Sequence, residues 1–308
     1  MLRRHFLQIF GAAALAQSGP QPGVLLIVAE GWRGWPPEQT TNLQRLQKES
    51  LYCTRAYATC PQDESAHAVL SSGMFAHAIV GQASTPAAAR HSLGGGGGDL
   101  QVASLRSTKP TYDARILDMD RQLGAILDKL NPQSPVIFTA TSGDLAGAHG
   151  TTGADEPYEE SARVPLVFRF PGMLTAGTSS DILISHVDIY PTVLGFLQRG
   201  PDPNMQGRDW STLLRTGKGE RPESVFCQGK LRNPTEWRMV VRGFDKLVTD
   251  REGEPTHLFN IAQDPMEIDN LVDLRAHLRK KDELSALLQI WRKKTNDGRS
   301  ASGLRQRK

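Results

Sequence analysis

A chain of 308 residues, 39% apolar and 22% charged, has room for one large domain with an appendage and for a sizeable buried core. The net charge is +3, and Arg299, Arg305, Arg307 and Lys308 lie in a tail with no acid after Asp297, so the body is near neutral and has no electrostatic footprint for nucleic acid. Collagenous, disordered, coiled-coil and multi-span membrane classes are excluded by this composition, and no apolar run approaches the roughly 20 residues that a membrane span needs.

Arg3 and Arg4 precede an apolar stretch from Phe6 to Leu15, which Ala14-Leu15-Ala16 closes with small residues. This order of basic, apolar and small-residue regions is that of a secretory signal, here twin-arginine-like, expected over residues 1–16. The mature protein is then expected in the periplasm or outside the cell; the alternative is a short amphipathic surface helix. The three cysteines, Cys53, Cys60 and Cys227, are too few for a disulfide framework. Cys53 with Cys60 is the nearest pair, and three buried free thiols are the other reading.

The run VLLIVA from Val24 to Ala29 has the length and branching of a strand buried on both faces. Thr41 to Glu49 reads as a helix, Leu51 to Ala58 as a strand and Ser65 to Ser72 as a short helix. Gly94 to Gly98 sits in a stretch poor in large apolar residues, read as a linker over 82–111. Tyr112 to Leu130 places Ile116, Met119, Leu123, Ile126, Leu127 and Leu130 at helical spacing. Strands follow at Pro135 to Thr139 and Val164 to Phe168. Alternating strands and helices with nearly all-apolar strands predict an α/β fold, a mostly parallel central sheet with helices on both faces, over residues 22–220. Beyond about Arg221, antiparallel strands at Trp237 to Arg242 and Lys246 to Thr249 and a helix from about Leu274 to Lys293 predict a small α+β subdomain over 221–297, ahead of the basic tail 298–308.

Seven segments, in order, carry a family resemblance: VLLIVAEGWRG, TTNLQRLQKESLYCTRAYATCP, LSSGMFAH, VIFTATSGDLAGAHG, EPYEESARVPLVFRFPG, SHVDIYPTVLGFL and HLFNIAQDPMEIDNL. They resemble the motifs of the sulfatases. That resemblance implies an alkaline-phosphatase-like fold and sulfuric ester hydrolysis. It further implies a cysteine in C-x-P-S-R converted to formylglycine, a divalent cation, usually calcium, held by acids with an amide or His, and Lys and His groups that meet the developing charge. A sulfated or other anionic small molecule or glycan is the partner class implied.

Aligned on these motifs, the nucleophile position falls on Asp63 and the family's Arg on His67. Cys60 lies three residues upstream and lacks the flanking motif; Ser65 is two residues out of register, with a helix N-cap role as the alternative. At the metal positions stand Glu30, which keeps a carboxylate, and then Gly31, Thr141 and Ser142, which do not. The expected Lys falls on Ala154, and the segment bearing a further Lys and His is replaced by the glycine-rich bridge. His149 persists in its motif beside Asp144.

Nucleophile, metal acids and Lys are thus replaced together, while fold-shaping residues such as Pro191-Thr192 and Asp264-Pro265 remain. A hard dication needs several anionic oxygens, so the calcium expected from the family is left with few ligands. The favoured expectation is an exported sulfatase-like pseudoenzyme that binds or scaffolds. The alternatives are a hydrolase rebuilt around Asp63, His67 and His149, and a decayed, unstable product.

Overall fold

The computed structural model describes residues 23–35, 39–82, 100–200 and 202–298. The leader reading over 1–16, the run Gly94 to Gly98 and nearly all of the basic tail lie outside the described residues.

A six-stranded sheet, in the order β3-β1-β4-β5-β2-β6, forms the centre. Its strands are β1 (Val24–Ala29), β2 (Leu51–Tyr57), β3 (Leu100–Leu105), β4 (Val136–Ala140), β5 (Arg163–Arg169) and β6 (Thr178–Ser185). β1 pairs in parallel with both β3 and β4, β2 pairs in parallel with β6, and β5 is antiparallel to both its neighbours. Five strands therefore run one way and β5 is reversed. All six residues of β1 are buried, as expected of an interior strand.

One expectation is corrected here. The segment read as linker to residue 111 contains β3, which pairs along its whole length with β1, Val24 opposite Leu100 through Ala29 opposite Leu105. The pairing is long-range, and β3's mixture of exposed and half-buried residues gives it little of the apolar signal that marks β1.

Helices α1 (Thr41–Lys48), α2 (Asp63–Ser72), α3 (Ala76–Gln82), α4 (Tyr112–Leu127), α5 (Glu159–Ala162, a single turn), α6 (His186–Phe196) and α7 (Ser211–Thr216) accompany the sheet. α4 ends three residues earlier than its apolar spacing suggests, and the chain continues in i+3 turns, Lys129 N on Ile126 O at 3.1 Å and Leu130 N on Leu127 O at 3.3 Å. α1 packs on α4 and α2 on α6. Thr40, at the start of α1, makes no capping bond with its side chain. The buried Asp120 of α4 supplies the cap, accepting from Asn42 N at 3.1 Å, Asn42 Nδ2 at 3.0 Å and Leu43 N at 2.9 Å.

A second sheet, β10-β9-β8-β7, is wholly antiparallel: β7 (Ser224–Gly229), β8 (Trp237–Arg242), β9 (Asp245–Thr249) and β10 (Pro255–Asn260). Helix α8 (Leu278–Lys294) buries Leu284, Leu288 and Trp291, an i, i+4, i+7 stripe. Its first predicted turn is instead the 3-10 turn Arg275–His277, a frequent form at helix starts. The Trp291 ring stacks on Phe226 at 5.1 Å and meets the edge of Phe75, from the first part of the chain, at 5.0 Å. Cys60, Val69 and Phe75 share one core with Val240, Leu247, Leu258 and Leu288, so the second sheet is welded to the first by apolar burial. All three cysteines are buried and free, and burial pushes the Cys60 thiol up to about 12.

Replacing Asp120 by Ala leaves the buried Leu43 N and the half-buried Asn42 N at the start of α1 without an acceptor. The expected cost is about 2–3 kcal/mol, read as a lower urea midpoint at unchanged slope.

Candidate functional site

With β1, β3 and β4 parallel, their carboxyl ends open at one edge, where α/β sheets place their ligand crevices. A pocket of roughly 360 Å3 lies there, lined in part by Glu30 and Gly31 beyond β1, Ser107 beyond β3, Ser142 to Asp144 beyond β4, Gln62 and Asp63 at α2, and Arg115 of α4. Ala154 and Asp155 complete the wall, so the position expected to hold a Lys presents a methyl group.

Asp63 is exposed in the first turn of α2, and its Oδ1 accepts from Thr141 Oγ1 at 2.5 Å. The residue at the nucleophile position is thus joined directly to one at a metal-acid position. Thr141 is anchored in turn by its backbone N–H, 2.8 Å from Ala29 O. Glu30 Oε1 pairs with Arg106 Nε at 2.5 Å, from the residue that follows β3. Burial and the neighbouring Asp63 still hold the Glu30 carboxyl above its usual range, against Arg106. Gly31 has φ +65° and brings no side chain to this metal-acid position.

Asp144 pairs with Arg115 Nη2 at 2.5 Å and accepts from Ala146 N at 2.7 Å. Arg33 donates to Asp144 O and Leu145 O and lies 4.7 Å from the Tyr112 ring centroid, fixing the same loop. Asp155 accepts from Lys230 N at 2.9 Å, and burial pushes its carboxyl up to about 6.

The predicted histidines are not brought together. His67, half-buried one turn along α2 from Asp63, is held below its usual value by burial, with Asp63 opposing. His149 is outside the pocket lining: its ring stacks on Tyr158 at 3.6 Å, and Nε2 lies 3.4 Å from the buried Glu160. Ser65 does not cap α2, since Gln62 occupies that position and accepts from Ser65 Oγ at 3.0 Å. Cys60 belongs to the core shared by the two sheets and is fully buried.

Sequence reasoning missed Gln62, Ser107, Arg115 and Asp155 in the wall, and His186 below it. His186 is buried, Nε2 is 3.5 Å from Thr139 Oγ1, and burial pushes it down to about 3, with His67 adding to the effect. None belongs to a catalytic motif; Arg115, at helical spacing just inside α4, carried the faintest signal.

These residues do not fit a calcium ion. Among the described residues no group of three or more His, Cys, Asp or Glu is arranged to hold a metal. Glu30 is engaged by Arg106 and Asp63 by Thr141, while Gly31 supplies no side-chain oxygen and Thr141 and Ser142 only neutral hydroxyls. Calcium at about 1 mM is therefore expected to leave the thermal unfolding midpoint unchanged, whereas an ion at 100 times its dissociation constant would add about 2.7 kcal/mol. A midpoint raised by calcium and restored by a chelator overturns this.

Two family models match, Sulfatase over residues 76–198 and N-sulphoglucosamine sulphohydrolase, C-terminal, over 147–294. The N-acetylglucosamine-6-O-sulfatase of Bacteroides thetaiotaomicron is 25% identical over 219 residues, 65% of this chain and 39% of that protein. The arylsulfatase of Clostridium perfringens is 25% identical over 199 residues, 62% of this chain and 41% of that protein. The chain thus spans about two fifths of the length of these curated relatives. In fold it is similar to a structure solved in complex with its substrate D-glucosamine-2-N,6-O-disulfate, with a TM-score of 0.75 at 12% identity, over 91% of this chain and 99% of that one. Matched models, relatives and fold agree that this chain belongs to the sulfatase family, with its alkaline-phosphatase-like architecture.

Proposed function

We propose that the protein is an exported sulfatase-family member that binds or scaffolds and does not turn over sulfate esters. The observation that carries this is the Thr141 to Asp63 hydrogen bond: the residue at the nucleophile position and one at a metal-acid position here satisfy each other. Metal and nucleophile supply the mechanism itself, so their joint replacement removes more than the roughly 10²–10³ in rate that one lost oxyanion donor costs. Export rests on the twin-arginine-like leader read in residues 1–16. Among the described residues no helix is long and apolar enough to cross a membrane.

The partner class we propose is a sulfated glycan or other anionic small molecule, held without hydrolysis. Arg115 is the pocket's cation for it, and Glu30, Asp63, Asp144 and Asp155 oppose it. Because the Asp155 carboxyl is pushed up to about 6, that opposition weakens as pH falls through this value. Titration calorimetry with D-glucosamine-2-N,6-O-disulfate should show tighter binding at pH 5 than at pH 7.5; affinity unchanged or weaker at low pH counts against a sulfate in this pocket.

The direct test is turnover of aryl sulfate and aryl phosphate esters with calcium, magnesium or manganese, beside an Asp63→Ala control. Background rates throughout are expected. Turnover that the Asp63→Ala change abolishes overturns the reading in favour of a hydrolase rebuilt on that carboxylate.

A further inference from the structure

Away from the pocket, the seam between the two sheets encloses a group of charges that the site does not use. Lys246 of β9 is fully buried, with its side chain 0% exposed. Its Nζ lies 2.6 Å from Glu267 Oε1 and 3.2 Å from Glu159 Oε1. Glu159 opens α5 on the side of the first sheet, and Tyr57 of β2 donates to its Oε2 at 3.2 Å. Glu267, in the turn after β10, accepts from Glu159 N at 2.7 Å through Oε2.

One ammonium thus faces two carboxylates in a volume closed to water. With every group ionised the cluster holds one surplus negative charge, which a protein interior tolerates poorly. The surrounding groups do not cancel it. Burial keeps the Tyr57 phenol and the Cys227 thiol of β7 neutral by raising them, and keeps His257 of β10 neutral by lowering it. Tyr158 is raised likewise, Glu156 beyond it pairs with Lys230 at 2.5 Å, Glu160 lies 3.4 Å from His149, and Arg55 and Arg163 act on Tyr57.

We propose that Glu159, Lys246 and Glu267 form a proton-dependent latch between the two sheets, in which the cluster holds one carboxyl proton and docking loosens when that proton leaves. The charge count and the burial carry this. In agreement with it, burial pushes the Glu267 carboxyl up to about 7, against the attraction of Lys246. A carboxyl raised on folding contributes stability that is complete below its ordinary range near 4.5 and lost as pH climbs through about 7. The latch also reaches the pocket: Ser161 of α5 accepts through its carbonyl from Gly143 N, 2.7 Å away in the pocket wall. None of this depends on whether the pocket is catalytic.

The test compares the wild-type protein with Glu159→Gln. The amide can accept from Lys246 through its oxygen and donate to Tyr57 through its nitrogen, leaving one carboxylate for one ammonium. From about pH 5 to pH 7.5 the wild-type thermal midpoint should fall by roughly 5 °C relative to that of Glu159→Gln, the scale of one released proton in a chain of this size; the pH responses of His186 and Asp155 are common to both proteins. An equal change with pH in both proteins overturns the latch. Amide hydrogen exchange on the wild-type protein keeps the proposal falsifiable where the variant does not fold. After correction for intrinsic rates, protection across β9 and residues 157–162 should be lost between the same pH values, and protection that is independent of pH overturns it.

Discussion

Charge at the carboxyl edge of the parallel strands has to be balanced, and in this chain the balance comes from within. β1 and β4 deliver Glu30 and Thr141 to that edge whatever else changes, because strand direction and register are set by apolar burial. With only Glu30 still acidic among the four metal positions, the hydroxyl just beyond β4 meets Asp63 and the guanidinium just beyond β3 meets Glu30. Arg106 is itself 65% exposed, so its pairing with Glu30 is a weak surface contact, while the bond between Thr141 and Asp63 ties α2 to the sheet. The pocket persists as a shape supported by structural hydrogen bonds.

Much of the first sheet could be read from the chain alone. β1, α1, β2, α4 and β4 each have an apolar period or run that matches their geometry, and their predicted limits differ from the observed ones by a few residues. β3 could not, since its evidence is a partner in space and not a period in its own six residues. The motif alignment pointed to Glu30, Gly31, Asp63, Thr141 and Ser142, and the fold gathers these residues at one edge, because ordered motifs carry the fold's topology with them. It failed for His149, whose motif survives while the ring is taken up by Tyr158 and Glu160. Arg115 and the seam charges were illegible for a further reason. Glu159, Lys246 and Glu267 are 87 and 108 positions apart, and no spacing rule joins residues on that scale.

The second sheet was expected as an appendage and is better described as a buttress. Its strands close two mixed cores, one around Trp291 and one around Tyr57, Met239 and Val248. Lys230 N on Asp155 and Trp237 Nε1 on Asp155 O, at 2.9 and 3.0 Å, also pin the loop that walls the pocket. Buttress and pocket thus share hydrogen bonds at Asp155, and the turn that carries Glu159 shares one with the pocket at Gly143.

The contact between Phe75 and Trp291 has a consequence for how the chain acquires its shape. The two rings are far apart in the sequence yet bury one another. During synthesis from the N-terminus, the apolar surface around Val69 and Phe75 is made long before the helix that covers it. Until the last helix is released, nascent protein carries an uncovered greasy patch, the kind of surface that chaperones hold. Loss of even a few C-terminal turns would leave that patch open for the life of the molecule.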